Sequence, residues 1–431
     1  MKKNMFLKST VILIIGSLLT KGLGLIIRIV FTRAIGSEGI SLYSLIMPTY
    51  SLVIALSQLG LPMAISTLVA RGTKRSKKII VSVLPIIIVL NTIMVILVLL
   101  SSKFIAINLL KNKDAIYPIA SLSVVLPFIS ISSILRGYFF GKQKMIPHTI
   151  SNIVEQIVRL IIIIIFLPLL VKKSAIYAVS GFVLLSAISE LASIIIFLLY
   201  LPKGFTIKKD ELKPDLLTTK EVLNLCLPTV SGRIIGNIAY FLEPILLTFV
   251  LTYEGYSTSF IQSEYGIYNA YVLPLLVIPS FIVQAISTAL IPEISRSYQL
   301  RDNKNIKKRL KQSLLITLII GTITNVIVFL SPGLLLKLVY KTSKGITYIR
   351  ILALFFIFYN LEGPLSSILQ AFGKARLAFR STTIGVLVKL VSIAVFSFFH
   401  IGIYGLVVGE ILNILLVSFL DIIYVKKLTQ L

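Results

Sequence analysis

Runs of about 20 predominantly apolar residues, the length that carries a helix across the hydrocarbon of a bilayer, recur along this chain between short polar breaks. Twelve such runs are read, at 9–34, 42–69, 79–101, 116–140, 147–171, 175–201, 222–253, 265–294, 310–330, 346–372, 378–399 and 401–425. Lipid offers an unpaired backbone group no partner, so segments of this length must satisfy their own hydrogen bonds as helices. The expected fold is an all-α polytopic membrane protein with about 12 transmembrane helices. Composition agrees: 57% of the 431 residues are hydrophobic and 14% are charged, where a soluble domain carries about a quarter. The first run is too long for a cleaved signal peptide and no small-residue cleavage site follows it.

The formal charge of +27, from 43 Lys and Arg against 16 Asp and Glu, first suggests a nucleic-acid binder. Such a protein gathers its cations on a soluble face with aromatics between them, and no soluble stretch here is large enough to provide one. The cations instead alternate from side to side. Twenty-seven lie in the N-terminal segment and the polar breaks at 71–78, 142–144, 203–220, 296–311, 374–380 and 426–427, and ten lie at 33, 103–113, 172–173 and 337–350. By the positive-inside rule this asymmetry places both termini in the cytoplasm.

Setting aside those toward the run ends, six cationic residues remain, Lys21, Arg28, Arg136, Arg159, Arg233 and Lys389, together with the acids Glu155, Glu190, Glu243, Glu362 and Glu410. A charge at mid-bilayer costs roughly 2.5–3.5 kcal/mol on insertion scales, so eleven of them require pairing or a watery cavity. Arg136, near the cytoplasmic end of its run, can snorkel to the head groups. Glu155 and Arg159 stand four residues apart in the acid-before-base order that suits an intrahelical ion pair. The other four glutamates are open to roles as counter-ions, proton sites or buried neutral acids. One cysteine, Cys226, and two histidines far apart, His148 and His400, build neither a disulfide framework nor a metal site. Gly137 to Lys142 fails the phosphate-loop pattern on glycine spacing and on its place at a membrane helix end, so no nucleotide or other cofactor is implied.

The chain is also a tandem repeat. Tyr43 and Arg71 are separated like Tyr268 and Arg296, and Ala-Ile-Ser-Thr occurs at 64–67 and again at 285–288. Ser132-Ser133-Ile134-Leu135 with Phe140-Gly141-Lys142 returns as Ser366-Ser367-Ile368-Leu369 with Phe372-Gly373-Lys374. Six spans per copy make the repeats parallel, related by an axis along the membrane normal, an arrangement in which transporters bind substrate near the midplane. The expected organisation is an N-terminal six-helix lobe at 1–202, a basic cytoplasmic linker at 203–220 and a C-terminal six-helix lobe at 221–431. No loop is long enough to hold a catalytic domain, and no enzyme is expected.

Leu42-Tyr43, the Gly60-Leu61-Pro62-Met63-Ala64-Ile65-Ser66 segment, Arg136-Gly137-Tyr138-Phe139-Phe140-Gly141-Lys142 through Pro147, and Glu155-Gln156-Ile157-Val158-Arg159 together resemble the stage V sporulation protein B group. That group belongs to the polysaccharide-exporter branch of the multidrug/oligosaccharidyl-lipid/polysaccharide flippase superfamily and is related to the lipid II flippases. The resemblance covers essentially the whole chain. It implies a two-lobe, MATE-like bundle in the cell membrane that flips a lipid-linked saccharide, such as a peptidoglycan precursor, by alternating access. The implied partners are the lipid-linked oligosaccharide and membrane lipids, with cell-wall synthesis proteins and a sporulation role left open. Many relatives carry fourteen helices, the last two contributing to a lipid-tail path, so twelve spans leave the tail's route and the cargo's identity open. On this reading Lys21, Arg28, Arg159, Arg233 and Lys389 line a central cationic cavity for a pyrophosphate-linked head group, Lys21 and Arg28 matching the span 1 basic residues of the relatives. Glu155, Glu190, Glu243, Glu362 and Glu410 are the candidate pairing or coupling acids.

Two other classes are weighed. An H⁺- or Na⁺-coupled multidrug or small-molecule exporter shares the fold but usually carries a carboxylate in its N-terminal lobe, where span 1 here has only Lys21 and Arg28. A membrane glycosyltransferase or wall-assembly scaffold would need an aqueous loop with paired carboxylates or a metal site. The orientation is testable: a reagent that cannot cross the membrane should label Thr342→Cys from outside intact cells, and Asn305→Cys only after the membrane is opened.

Overall fold

A computed structural model describes residues 2–72, 76–202, 205 and 214–429, with side chains undescribed at 2–11, 13–14, 227–233, 288–289, 292 and 400. Every regular element among the described residues is helical, as lipid-buried backbone requires. The apolar runs appear as eleven membrane-length spans, with one further broken pair bent by 51°. Contacts divide the chain into two units, Met1–Phe241 and Leu242–Leu431.

The first unit contains α1 (Lys2–Ala34), α2 (Gly36–Gln58), α3 (Leu61–Arg71), α4 (Ser76–Phe104), α5 (Ile116–Gly141), α6 (Met145–Val171), α7 (Ala175–Leu199) and the first part of α8 (Leu216–Tyr253). The expected linker at 203–220 lies largely outside the described residues; from Leu216 onward it is helix. At the head of α8, Asp215 is held by several groups at once. Thr218 donates to its carboxylate at 2.5 Å, Lys78 lies 3.3 Å away, and its backbone N–H donates to Ser82 at 3.0 Å. The Thr218 hydroxyl, with Lys78, holds this carboxyl below the usual range.

The run at 42–69 is expected as one helix and is found as two. Leu59 and Gly60 both adopt left-handed backbone, at φ 43° and 66°, ending α2. Gly60 tolerates that conformation without penalty, and Pro62 sits at the first turn of α3, where its missing N–H costs no hydrogen bond. The short α3 then packs closely on α5. A Cβ at Gly137 would lie 2.8 Å from the Pro62 carbonyl oxygen, and one at Gly141 would lie 2.6 Å from the Val69 Cβ. Four residues apart on one helix, these glycines form the smooth strip that lets two backbones approach in lipid, where dispersion replaces the hydrophobic effect as the packing force. Leu61, Ile65, Leu68, Ile134 and Phe139 fill in around it.

The second unit contains the end of α8, then α9 (Thr258–Ile267), α10 (Leu273–Val277), α11 (Ser280–Gln299), α12 (Asn303–Leu330), α13 (Pro332–Tyr340), α14 (Ile346–Ala371), α15 (Ala375–Phe396) and α16 (Tyr404–Thr429). The run at 265–294 is the bent pair. A π-helical stretch at Tyr268–Val272 and the amide-less Pro279 interrupt its hydrogen-bond ladder. Each unit is built around one helix: α5 touches α2, α3, α4, α6 and α7, and α14 touches α10, α11, α12, α13, α15 and α16. These two carry the Ser-Ser-Ile-Leu motif of the repeat. Gly141→Ala should lower the unfolding midpoint of the detergent-solubilised protein, by about 1–3 kcal/mol of stability. Gly236→Ala, whose Cβ would meet nothing within 4 Å, should not.

Candidate functional site

In the first unit the expected cations converge from two helices. Lys21 and Arg28, two turns apart on α1, share one helix face, and α1 packs along α6, which carries Arg159. The Arg159 guanidinium is held from two sides: it donates to Glu155 at 2.8 Å and through Nε to the Ser189 hydroxyl at 3.2 Å. Ser189 in turn donates to the Ser186 carbonyl oxygen at 2.7 Å. The intrahelical Glu155–Arg159 pair therefore forms, and a second helix, α7, fixes the same guanidinium. Glu190, also on α7, stands within electrostatic reach of Arg159.

Two tyrosines of α2 join this group. Tyr43 lies within electrostatic reach of both Arg28 and Arg159, and Tyr50 within reach of Arg159 and Glu190. Tyr43 is wedged between Phe31 of α1 and Phe182 of α7, with ring centroids 4.9 and 5.6 Å away. The Leu-Tyr pair near the start of α2 thus places an aromatic wedge beside the cations.

Arg136 departs from its expected position. Its Nε is buried and its Nη2 donates to Asn152 at 3.2 Å, so the side chain turns inward; a fixed polar partner one helix away replaces the head group. Asn152 also meets His148 at 3.3 Å, and the His148 ring packs on Phe140. The side chains of Arg233 and His400 fall outside those described.

Lys389, the remaining expected cation, lies in the second unit between two carboxylates. Its Nζ is 2.5 Å from Glu243 of α8 and 2.6 Å from Glu410 of α16, joining three helices through one ammonium. Glu362 stands apart from this triad. It lines a cavity of about 250 Å³ with Asp421, Asn360, Tyr359, Gln284 and Ser366. Asp421 was not among the expected intramembrane acids, although it lies inside the run at 401–425. It is 2% exposed and accepts a hydrogen bond from Ser381. Its signal in the sequence is the spacing from Glu410, eleven residues or about three helical turns, which puts both acids on one face of α16.

The candidate site charges therefore differ in sign between the two units. The described side chains of the first comprise Lys21, Arg28, Arg136 and Arg159 against Glu155 and Glu190, and those of the second Lys389 against Glu243, Glu362, Glu410 and Asp421. Among the described residues, no group of three or more His, Cys, Asp and Glu could hold a metal ion.

Comparison with known proteins gives the relatives of this arrangement. The polysaccharide biosynthesis protein family matches residues 6–298, and the MatE family matches 270–395. The chain is 36% identical to stage V sporulation protein B of Bacillus subtilis (strain 168), over 99% of this chain and 85% of that protein. It is 24% identical to the lipid II flippase MurJ of the same organism, over 89% of this chain and 76% of that one. An inward-facing multidrug resistance MATE family transporter of the MOP superfamily shares the fold with a TM-score of 0.76 at 15% identity, covering 95% of this chain and 94% of that chain.

The Lys389 triad has a measurable consequence. Lys389→Met should leave two buried carboxylates without a partner and destabilise the protein by about 3–5 kcal/mol, read from denaturation in detergent. Adding Glu243→Gln and Glu410→Gln to that variant should recover most of the loss.

Proposed function

The chain belongs to the polysaccharide biosynthesis protein family as a stage V sporulation protein B-like, multi-pass membrane member, and from that premise we propose that it flips a lipid-linked saccharide across the cytoplasmic membrane. The observation that carries this reading is the cationic group of the first unit. Lys21, Arg28 and Arg159 come from α1 and α6, and Arg159 is oriented by Glu155 and Ser189. A pyrophosphate is a concentrated anion, and guanidinium groups bind such oxygens by charge-assisted, often bidentate hydrogen bonds. Held in a low-dielectric setting, these contacts replace the water the head group gives up.

In this proposal the cargo is an undecaprenyl-pyrophosphate-linked saccharide, the class that includes the peptidoglycan precursors handled by lipid II flippases. The lobes are the six-span segments at 1–202 and 221–431, and both termini are cytoplasmic. Access to the bound head group alternates between the two sides of the membrane, and no covalent chemistry is assigned to any residue. Arg233 is assigned to the same cationic group from the repeat, where Arg233-Ile234-Ile235-Gly236 matches Lys21-Gly22-Leu23-Gly24. Lys389 serves as a tie between helices, with Glu243 and Glu410 neutralising it.

A second reading is an H⁺- or Na⁺-coupled exporter of small molecules. The buried acids Glu243, Glu410 and Asp421 of the second unit and the MatE match at 270–395 favour it; the cations of α1 oppose it. The two are separated by reconstituting the full chain in liposomes and following a fluorescent undecaprenyl-pyrophosphate-linked sugar by its accessibility to a membrane-impermeant quencher. Wild type should translocate it, and Arg28→Ala and Arg159→Ala should each slow the initial rate about tenfold to a hundredfold, as loss of one hydrogen bond to a charged group implies. Unchanged rates in both variants would remove the cationic group from the proposal.

A further inference from the structure

The head-group reading gives Glu190 of α7 no task, although this acid stands within the cationic group of the first unit. It is 9% exposed, and its Oε2 is covered and accepts no hydrogen bond. Among the described residues it forms no ion pair, because the guanidinium groups within its reach are committed elsewhere. Arg159 donates to Glu155 at 2.8 Å and to Ser189 at 3.2 Å, and Arg136 donates to Asn152 at 3.2 Å. A carboxylate taken out of water without a bonded partner is costly, and such a group escapes the cost by binding a proton.

The groups that face Glu190 come from every helix packed on α7, namely α2, α5 and α6. From α5 they are Arg136 and the hydroxyl of Ser132, and from α6 they are Glu155 and Arg159. From α2 it is Tyr50. Ser132 is 1% exposed and its Oγ also has no hydrogen-bond partner, so an oxygen able to accept the proton of a neutral Glu190 stands beside it. Arg136 and Arg159 favour the ionised form, while burial and the charge of Glu155 oppose it. These opposing effects leave the protonation of Glu190 to the next charge that enters.

That charge is the cargo's own. A pyrophosphate diester is a dianion, and neither of its phosphates gains a proton near neutrality. Bound at Arg159, it places its negative charge on the guanidinium that Glu190 also faces. The attraction that favoured the ionised acid is then shared with a second anion, and repulsion between like charges is added where little water screens it. Linkage is reciprocal: a ligand that disfavours the ionised form of an acid binds with uptake of a proton, and the proton in turn favours the ligand.

We propose that Glu190 is the proton-linked residue of the head-group site, taking up one proton from solvent when a pyrophosphate-linked lipid binds the cationic group and releasing it when the cargo leaves. Glu155 keeps its charge throughout, because Arg159 donates to it directly. The inference rests on the flippase reading for the identity of the anion. It makes head-group affinity rise as pH falls, a dependence that Lys and Arg, charged across the neutral range, do not supply by themselves.

The test uses full-length protein in detergent, titrated calorimetrically with citronellyl-pyrophosphoryl-N-acetylglucosamine, a short-chain cargo whose phosphates are both diesters. Repeating the titration at one pH in buffers of different ionisation enthalpy counts the protons taken up. Wild type should take up a proton on binding, and above neutrality its affinity should fall by up to about tenfold per pH unit. Glu190→Gln should bind with no uptake, and as tightly at high pH as wild type does at low pH. That gain of affinity is one that a damaged fold does not produce. Binding to wild type without proton uptake, or uptake that survives in Glu190→Gln, would overturn the assignment and leave the flippase reading standing. The wild-type proton count needs no variant to fold. If wild type binds no pyrophosphate-linked cargo at any pH, the head-group reading falls and this proposal falls with it.

Discussion

Placing an ion in hydrocarbon is the cost around which this protein is arranged. Each intramembrane charge must be offset locally, because lipid supplies neither water nor counter-ion. Lys389 shows the simplest solution, one ammonium shared by the carboxylates of two other helices. Arg159 shows a different one: a carboxylate on its own helix and a hydroxyl on the next together fix the direction of the guanidinium. The first arrangement spends its charge on holding helices together. The second presents an oriented cation beside Tyr43, Tyr50 and Arg28, which is the property an anion site requires.

The same economy governs neutral polar groups. Ser57, Ser130 and Asn91, all buried, bond to one another across α2, α5 and α4, and Asn91 returns its amide to the Ile87 carbonyl oxygen. That network is closed and reads as structural. Asn360, by contrast, keeps a buried acceptor with no hydrogen-bond partner.

The parallel repeat produces two units with the same central helix, α5 in one and α14 in the other, yet the candidate site charges they carry differ in sign. Duplication preserves what packing demands, such as the Ser-Ser-Ile-Leu segment that sits on each central helix. Charge is free to diverge because it depends on a few side chains whose partners can change together. The cations around Arg159 in the first unit and the acids around Lys389 and Glu362 in the second are thus a difference in chemistry laid over a common scaffold.

Most of the fold is legible in the amino-acid sequence, since span length and polarity are local properties. The run at 116–140 became α5 at Ile116–Gly141, and the run at 346–372 became α14 at Ile346–Ala371. Hydropathy does not register backbone conformation, so the break between α2 and α3, set by left-handed φ at Leu59 and Gly60, stayed hidden within one apolar run. The sequence likewise determined which residue types must be buried as ions, but not with whom. Ser189 lies 30 positions from Arg159 and Asp421 lies 40 from Ser381, and no local pattern encodes such pairs. Only the tertiary structure decided that Arg136 turns inward, that Lys389 is enclosed by two acids, and that Glu362 and Asp421 share a cavity. An electrostatic interaction falls off with distance in space, and distance along the chain carries no record of it.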